Sequence, residues 1–371
     1  MSDTMKVCYF GSYAPSYPRH RIIIKGLQSQ GVDVTEVTDS SQILIRYPKL
    51  ARKYLSEKDF DVIFVGEASN YVQPLAIILK KITRKPLVFD TYVSLYDTNQ
   101  DRGVHQNPML SRLFYNLDKY NCLFSDVVLQ DTNQNVEYFH ETFHIEKEKF
   151  RRLLIGAEDD LFYPQNTSLN DNEKVRLDNE KETNTTEESE TFKVLFYGTY
   201  IPLHGIEYII QAAKILENEN ISFQLIGRGQ TFPEIQKLYE SLNLSNIEFK
   251  GMVDYQELPK YIAQSDACLG IFGGTEKSMR VIPTKAYQIL AMKKPLITGY
   301  SPGGLELFKN RNNALLCEMA NPESLASAIL ELKEDEKLRK RIAGNGYKLF
   351  QEKLTPDQIG LEALKIIKSI L

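Results

Sequence analysis

Cysteine is scarce: four residues, Cys8, Cys122, Cys268 and Cys317, in a chain of 371. None lies at metal-ligand spacing and no two form a CxxC pair, so no zinc site or redox motif is written into the chain. A disulfide-stapled miniprotein is excluded as well. Cys8 and Cys268 fall in apolar runs and are expected as buried small hydrophobes in a reducing compartment. No apolar run reaches ~18–20 residues, which excludes a membrane-spanning helix. The opening MSDTMKVCYFG has no basic start, apolar stretch or small-residue cleavage site, so a cytoplasmic protein is expected. A basic excess is missing too: 45 Lys and Arg face 49 Asp and Glu, and no nucleic-acid partner is expected.

What remains is ordinary globular material, 42% hydrophobic and 25% charged. At ~100–200 residues per domain the length suggests two domains. The acidity is local. Residues 166–191 hold eight acids and three bases; without them 41 acids face 42 bases. That stretch is rich in Asn, Thr, Ser and Glu, cannot bury enough surface to offset its ordering entropy, and is expected to be a disordered insertion.

Before it, short apolar runs alternate with helical stretches. Met5 to Phe10 ends at Gly11, a helix from Arg21 stops before Gly31, and a strand pattern follows from Val32 to Val37. Asp61 to Gly66, Pro86 to Phe89, Asp126 to Gln130 and Phe150 to Ile155 repeat the strand signal between helices. At Phe192 the pattern restarts, with KVLFY ending at Gly198 as KVCYF ended at Gly11, and it runs on through a helix over Leu305 to Asn310 and a last helix from Gly360. Continuous apolar strands between helices imply parallel sheets covered on both faces. The expected fold class is α/β: two tandem doubly wound, Rossmann-like domains with a ligand-binding cleft between them. The expected units are residues 1–165, the insertion 166–191, a second domain 192–355, and a C-terminal helix 356–371.

Several loops carry chemistry. Gly198-Thr199 ends a strand, and His204-Gly205 opens a helix, where free N–H groups and the helix dipole suit phosphate. Leu225 to Gly229 repeats the device with Arg228. Neither loop is GxGxxG or a P-loop, and each glycine turn has a purely structural reading as well. Lys285 and Gln288 lie three apart at the start of a helix after Ile282-Pro283, a cation and an amide suited to a diphosphate and a ribose, or a plain solvated face. In the first half, Asp90-Thr91 follows a strand and opens a polar loop to Thr98, with Asp101 and Arg102 behind; ligand contact and turn or cap chemistry both fit. Asp131 or Thr132 is expected to cap the next helix. No histidine has the nucleophile partner of a Ser-His-Asp triad.

Taken in order, Phe196 to Gly205, Leu225 to Gly229, Phe249 to Val253, Ile282 to Pro295, Gly303 to Glu306 and Asn313 to Leu316 resemble the retaining glycosyltransferases of the GT-B fold, group 1 or family 4, over roughly 150 residues. The resemblance implies a nucleoside-diphosphate sugar held by the second domain, a glycan or lipid-linked acceptor on the first, and a hexosyl transfer with retention, without metal or other cofactor. The implied donor-binding residues are Gly11, Gly198, Thr199, His204, Gly205, Arg228, Arg280, Lys285 and Gln288. Asp90 lies where many relatives place a sugar-facing histidine. The family's glutamate pair is altered: Gln288 takes the second position, the first falls at Arg280, and Glu276 is the carboxylate expected to take over. Arg228, Lys277, Arg280 and Lys285 are expected to supply compensating charge for a first loop in which Thr199 or Tyr200 and His204 stand at usually cationic positions. The departures also motivate a non-catalytic subunit that binds a nucleotide sugar or a partner transferase, or a nucleotide-sugar epimerase.

Two basic groups complete the reading. Arg46, Lys49, Arg52 and Lys53 lie in an amphipathic stretch in which Pro48 is expected to start the helix, and Lys80, Lys81, Arg84 and Lys85 follow an apolar run. Peripheral contact with the inner face of a membrane, or solvated helix faces, account for both.

Overall fold

The computed structural model describes residues 4–14, 17–57, 59–103, 107–165 and 191–371. The acidic stretch, up to residue 190, lies outside them. The first half forms β1 (Lys6–Gly11), α1 (Pro18–Ser29), β2 (Asp33–Thr38), α2 (Ile43–Ser56), β3 (Val62–Val65), α3 (Gln73–Thr83), β4 (Leu87–Asp90), α4 (Leu95–Arg102), α5 (Pro108–Phe124), β5 (Val127–Gln130), α6 (Asn133–Phe143) and β6 (Phe150–Arg152). The second forms β7 (Phe192–Tyr197), α7 (Ile206–Ile215), β8 (Ile221–Ile226), α8 (Phe232–Leu242), β9 (Ile247–Phe249), α9 (Leu258–Ala263), β10 (Ala267–Leu269), α10 (Thr284–Ala291), β11 (Leu296–Gly299), α11 (Pro302–Leu305) and β12 (Leu315–Cys317). Three helices follow: α12 (Pro322–Glu334), α13 (Glu336–Lys353) and α14 (Pro356–Lys368). All four cysteines are buried and free.

Each half builds a six-stranded parallel sheet, ordered β2-β1-β3-β4-β5-β6 and β12-β11-β10-β7-β8-β9. Central strands such as β3 (VIFV) are buried along their whole length, because helices cover both faces. In each sheet the chain first winds one way from the opening strand and then crosses to its other side, leaving a crevice at the strands' carboxyl ends between β1 and β3 and between β7 and β10. Ligands of doubly wound sheets sit at such reversals.

After β6 the chain crosses over, and Ile155, Ala157 and Phe162 pack into the core formed by Tyr197, Ile282 and Tyr287. The last helix returns: α14 lies on α1, where a Cβ on Gly26 would come 2.1 Å from the Pro356 carbonyl oxygen, so only glycine permits the approach.

Three local expectations are corrected. The amphipathic helix α2 begins at Ile43 and runs through Pro48. The carbonyl that loses its N–H partner belongs to Leu44, 88% exposed, where water can take the bond. The loop after β4 contains helix α4, whose N-cap Ser94 accepts a hydrogen bond from the Asp97 N–H. The helix expected over Leu305 to Asn310 is instead the single turn of α11, capped by Ser301.

Candidate active site

The crevice of the second sheet is built by glycine ends. Gly198, after β7, sits at φ +145°, a conformation side chains rarely adopt, and a Cβ there would lie 3.0 Å from Lys285 Nζ. Lys285, in the first turn of α10, is 6% exposed. Its Nζ lies 3.9 Å from the centre of the Phe196 ring and only 3.4 Å from the Gly270 carbonyl oxygen. It forms no ion pair among the described residues, and burial pushes its pKa well below the ordinary lysine value. A buried ammonium held by one ring face and one long hydrogen bond has capacity left for an anion.

Around it stand the turn residues. His204 Nδ1 meets the Thr199 carbonyl, which requires a proton on that nitrogen and leaves Nε2 as an acceptor. Burial, then the Lys285 charge, hold His204 well below the usual histidine range, so the ring is neutral and not the cation its position implied. Gly205 closes the turn at φ +63°, packed on Gly273. Thr199 and Arg228 are exposed at the mouth, the Arg228 guanidinium resting 4.8 Å from the Phe232 ring centre without an ion pair among the described residues.

The first domain supplies a cation that the sequence reading left out of the site. Arg102, at the end of α4, acts electrostatically on His204, and its carbonyl accepts from Gln230 Nε2 at 2.7 Å. Only the packing of α4 over the loop after β8 reveals it. Lys285 and Arg102 thus both act on His204, and Arg228 stands on the loop after β8 that the end of α4 meets.

Other residues go elsewhere. Arg280 is turned to the first domain: Nη2 donates to Asp97 Oδ1 at 2.6 Å, the guanidinium sits 3.7 Å from the Tyr138 ring centre, and its carbonyl accepts from Thr132 Oγ1 at 2.6 Å. Lys277 Nζ lies 3.1 Å from Asp97 Oδ2. Two of the four cations expected to compensate donor charge, Lys277 and Arg280, are therefore neutralised by Asp97, whereas Arg228 and Lys285 are not. Gln288, expected at the ribose, is 4% exposed; Oε1 accepts from the Tyr197 hydroxyl at 3.0 Å and Nε2 donates to the Tyr255 hydroxyl at 3.1 Å. Tyr255 in turn donates to Glu158 Oε2 at 2.7 Å. Glu276 is exposed on the rim of an interdomain groove of about 520 Å³ that also takes in Asp97, Asp101 and Tyr138.

In the first sheet Asp90 is 1% exposed, and Arg19 grips both its oxygens, Nε to Oδ2 at 2.7 Å and Nη2 to Oδ1 at 2.9 Å. Its carboxylate is held in this pair rather than presented to the cleft. Gly11 ends β1 against Ser69, whose oxygen a Cβ would approach to 2.3 Å. Nearby, burial and then the Asp90 charge push Glu67 up to about 8, and burial pushes Asp131 up to about 6. Thr132 caps α6, accepting from Asn135 N at 3.1 Å. Glu306 completes that end from the other domain, its two oxygens accepting from Asn133 N at 2.8 Å and Gln134 N at 3.0 Å, where the helix dipole favours a carboxylate.

A surface groove of about 310 Å³ lies at the amino ends of β7, β8 and β9, the wrong end of the sheet for a doubly wound ligand site.

Residues 178–349 match the family described as Glycosyl transferases group 1. An uncharacterized glycosyltransferase of Methanocaldococcus jannaschii is 28% identical over 183 residues, 47% of this chain and 48% of that protein. The chain spans about half the length of the curated relatives it matches. Among solved structures, Anabaena HepE in complex with UDP-glucose superposes with a TM-score of 0.72 at 16% identity, covering 98% of this chain and 100% of that one. Sucrose-phosphate synthase from Thermosynechococcus elongatus does so at 0.74 and 14% identity, covering 99% of each. The fold is that of the GT-B glycosyltransferases, and the match to the group 1 family falls on the second domain.

Proposed function

We propose that this chain, whose second domain carries the match to the group 1 glycosyltransferase family, transfers a sugar from a nucleoside-diphosphate sugar to a hydroxyl of a glycan or lipid-linked acceptor. The observation that carries the reading is Lys285, a buried ammonium without a counter-ion at the strand reversal of the second sheet. A diphosphate supplies the missing negative charge, and Arg228 and Arg102 close over it. Neutral His204 offers Nε2 as an acceptor for a sugar hydroxyl or a protonated phosphate oxygen. Leaving-group charge is then met by protein cations and the α10 N-terminus in a desolvated crevice, with no metal or other cofactor taking part. The acceptor lies against the polar carboxyl ends of β3 to β5. In this reading the enzyme is a hexosyltransferase of the cytoplasm that retains anomeric configuration, both in keeping with the resemblance of its motifs, and Glu276 works from the groove rim.

A second reading, a nucleotide-sugar-binding subunit without turnover, is favoured by one observation: Gln288 is an amide consumed by two tyrosines where the sequence resemblance implies a carboxylate. UDP-, GDP- and ADP-sugars should be tested for thermal stabilisation and for nucleotide release, with and without EDTA, in the presence of soluble and lipid-linked acceptors. Stabilisation with EDTA-resistant, acceptor-dependent release is expected. Stabilisation without release under every acceptor establishes the second reading; failure of every nucleotide to bind defeats both.

A further inference from the structure

Residues 280–284 lead from the groove loop into α10, and the first domain grips them repeatedly. Thr132, fully buried after β5, donates from Oγ1 to the Arg280 carbonyl at 2.6 Å and accepts at the same oxygen from Asn135 N at 3.1 Å. The hydroxyl's one proton thus crosses the domain boundary while a lone pair caps α6. Beside it the Ile282 N–H faces the Asp131 carboxyl, and the Tyr92 hydroxyl faces that of Thr284, the first residue of α10. The Tyr92 ring lies 5.2 Å from the Arg19 guanidinium, which ties it to the first domain.

The second domain holds the same peptide from its other side. A Cβ on Gly303 would lie 2.3 Å from the Arg280 carbonyl oxygen, and the Gly303 N–H donates to the Met279 carbonyl at 2.9 Å. Three residues on, Glu306 accepts from Asn133 N and Gln134 N of α6. The Arg280 peptide is therefore wedged between α11 and the cap of α6.

What this peptide carries is the crevice described above. Val281 packs with Ile201, Leu203 and Ile271, under the turn that bears His204. Lys285 follows Arg280 by five residues, across Pro283, whose ring fixes φ and stiffens the connection. Lys285 has no ion pair among the described residues to hold it, so its place depends on the segment before it. A shift at the Arg280 peptide is passed both to the Lys285 ammonium and to the His204 turn.

We propose that Thr132 and Tyr92 of the first domain are positioning residues for the diphosphate site of the second: they set the segment that ends in Lys285 without touching the nucleotide. The proposal rests on the transferase reading for the placing of the nucleotide at Lys285. Its consequence is a coupling between the domains. By linkage, a nucleotide at Lys285 strengthens the Thr132–Arg280 contact as much as that contact strengthens nucleotide binding. Contacts that only glued the domains together would change stability and leave affinity alone.

Dissociation constants of UDP, GDP and ADP are measured by calorimetry on the full chain, and the tightest of the three becomes the probe. T132V keeps the shape but removes the hydroxyl and leaves a buried carbonyl without its donor, which should weaken the probe about tenfold. T132S keeps both donor and cap and should bind within about twofold of the parent. Y92F keeps the ring on Arg19, loses only its hydroxyl and should weaken the probe about threefold; it carries the test where circular dichroism shows T132V unfolded. N321A removes the cap of α12, where Asn321 accepts from Ser324 N at 2.8 Å, and should bind as the parent does. In a K285M background T132V should add little, because the group it positions is gone.

A parent that binds a nucleotide, with T132V and Y92F binding it equally well, overturns the proposal and leaves the transferase reading standing. So does an equal loss in N321A, or a T132V effect that adds in full to that of K285M. A parent that binds none of the three nucleotides removes the reading, and the proposal with it.

Discussion

Arg280 donates to Asp97 at 2.6 Å, and the two residues belong to different domains. Asp97 sits on α4 of the first domain; Arg280 ends the loop that carries Glu276 and Lys277 in the second. One carboxylate thus fixes two cations, with side chains only 11% to 16% exposed, at the edge of the interdomain groove. The loop holding the candidate carboxylate Glu276 is positioned from the opposite domain.

Asp97→Asn should therefore uncouple the domains. The amide keeps the shape but leaves Lys277 and Arg280 facing one another without a counter-charge. Removing one partner of a largely buried pair costs about 3 kcal/mol. A lower denaturation midpoint and faster proteolysis between the domains are expected. Stability within about 0.5 kcal/mol of the parent would show the bridge to be ornamental.

Lys285→Met separates binding from stability. Met fills the space of the aliphatic stem and removes a buried charge that burial already disfavours. The ligand-free protein should be as stable as the parent or more so. Loss of a charge-assisted contact of about 1.5–3 kcal/mol should weaken UDP binding roughly 10- to 100-fold, measured by calorimetry. Unchanged UDP affinity would move the diphosphate site elsewhere.

Glu67 makes stability depend on pH in an unusual sense. Its carboxyl titrates near 8 in the folded chain and from 4.5 when unfolded. Between those values the folded state holds the proton that the unfolded state has lost, so stability falls as pH rises through that window. The slope from this group is at most about 1.4 kcal/mol per pH unit. Glu67→Gln stays neutral throughout and should flatten the decline in melting temperature between about pH 5 and about pH 8. A parent and variant with parallel profiles would contradict it.

The architecture was legible because strand runs and glycine ends are local signals: KVCYF-Gly11 and KVLFY-Gly198 each mark an opening strand. Lys285 was legible for the same reason, being a lysine at a helix start. The fate of Arg280 was not, since its partner lies 183 residues away and only domain packing brings them together. Arg102 was legible as part of a polar loop but not as a neighbour of His204, because α4 reads as a loop until Ser94 caps it and the helix lays its end over the other domain. Pro48 misled in the opposite direction: a strong local breaker was tolerated because its turn faces water.

Gln288 stands where the sequence resemblance implies a glutamate, and its surroundings hold an amide there. Its amide nitrogen donates to the Tyr255 hydroxyl, leaving that hydroxyl's single proton for Glu158. In Gln288→Glu two carboxylates compete for one proton in a buried site. Glu158 keeps Arg21 and the new carboxylate keeps the Tyr197 hydroxyl, but one carboxylate oxygen is left without a donor, at a cost of about 2–3 kcal/mol. The variant should melt lower and gain no transfer activity. Adding Glu158→Gln restores the count, because the new amide can donate to Tyr255 while Tyr255 donates to the introduced carboxylate on α10. The double variant should therefore recover most of the lost stability, more than the two single effects added together allow, and a purely additive cycle would show that the Glu158–Tyr255–Gln288 chain is not one network.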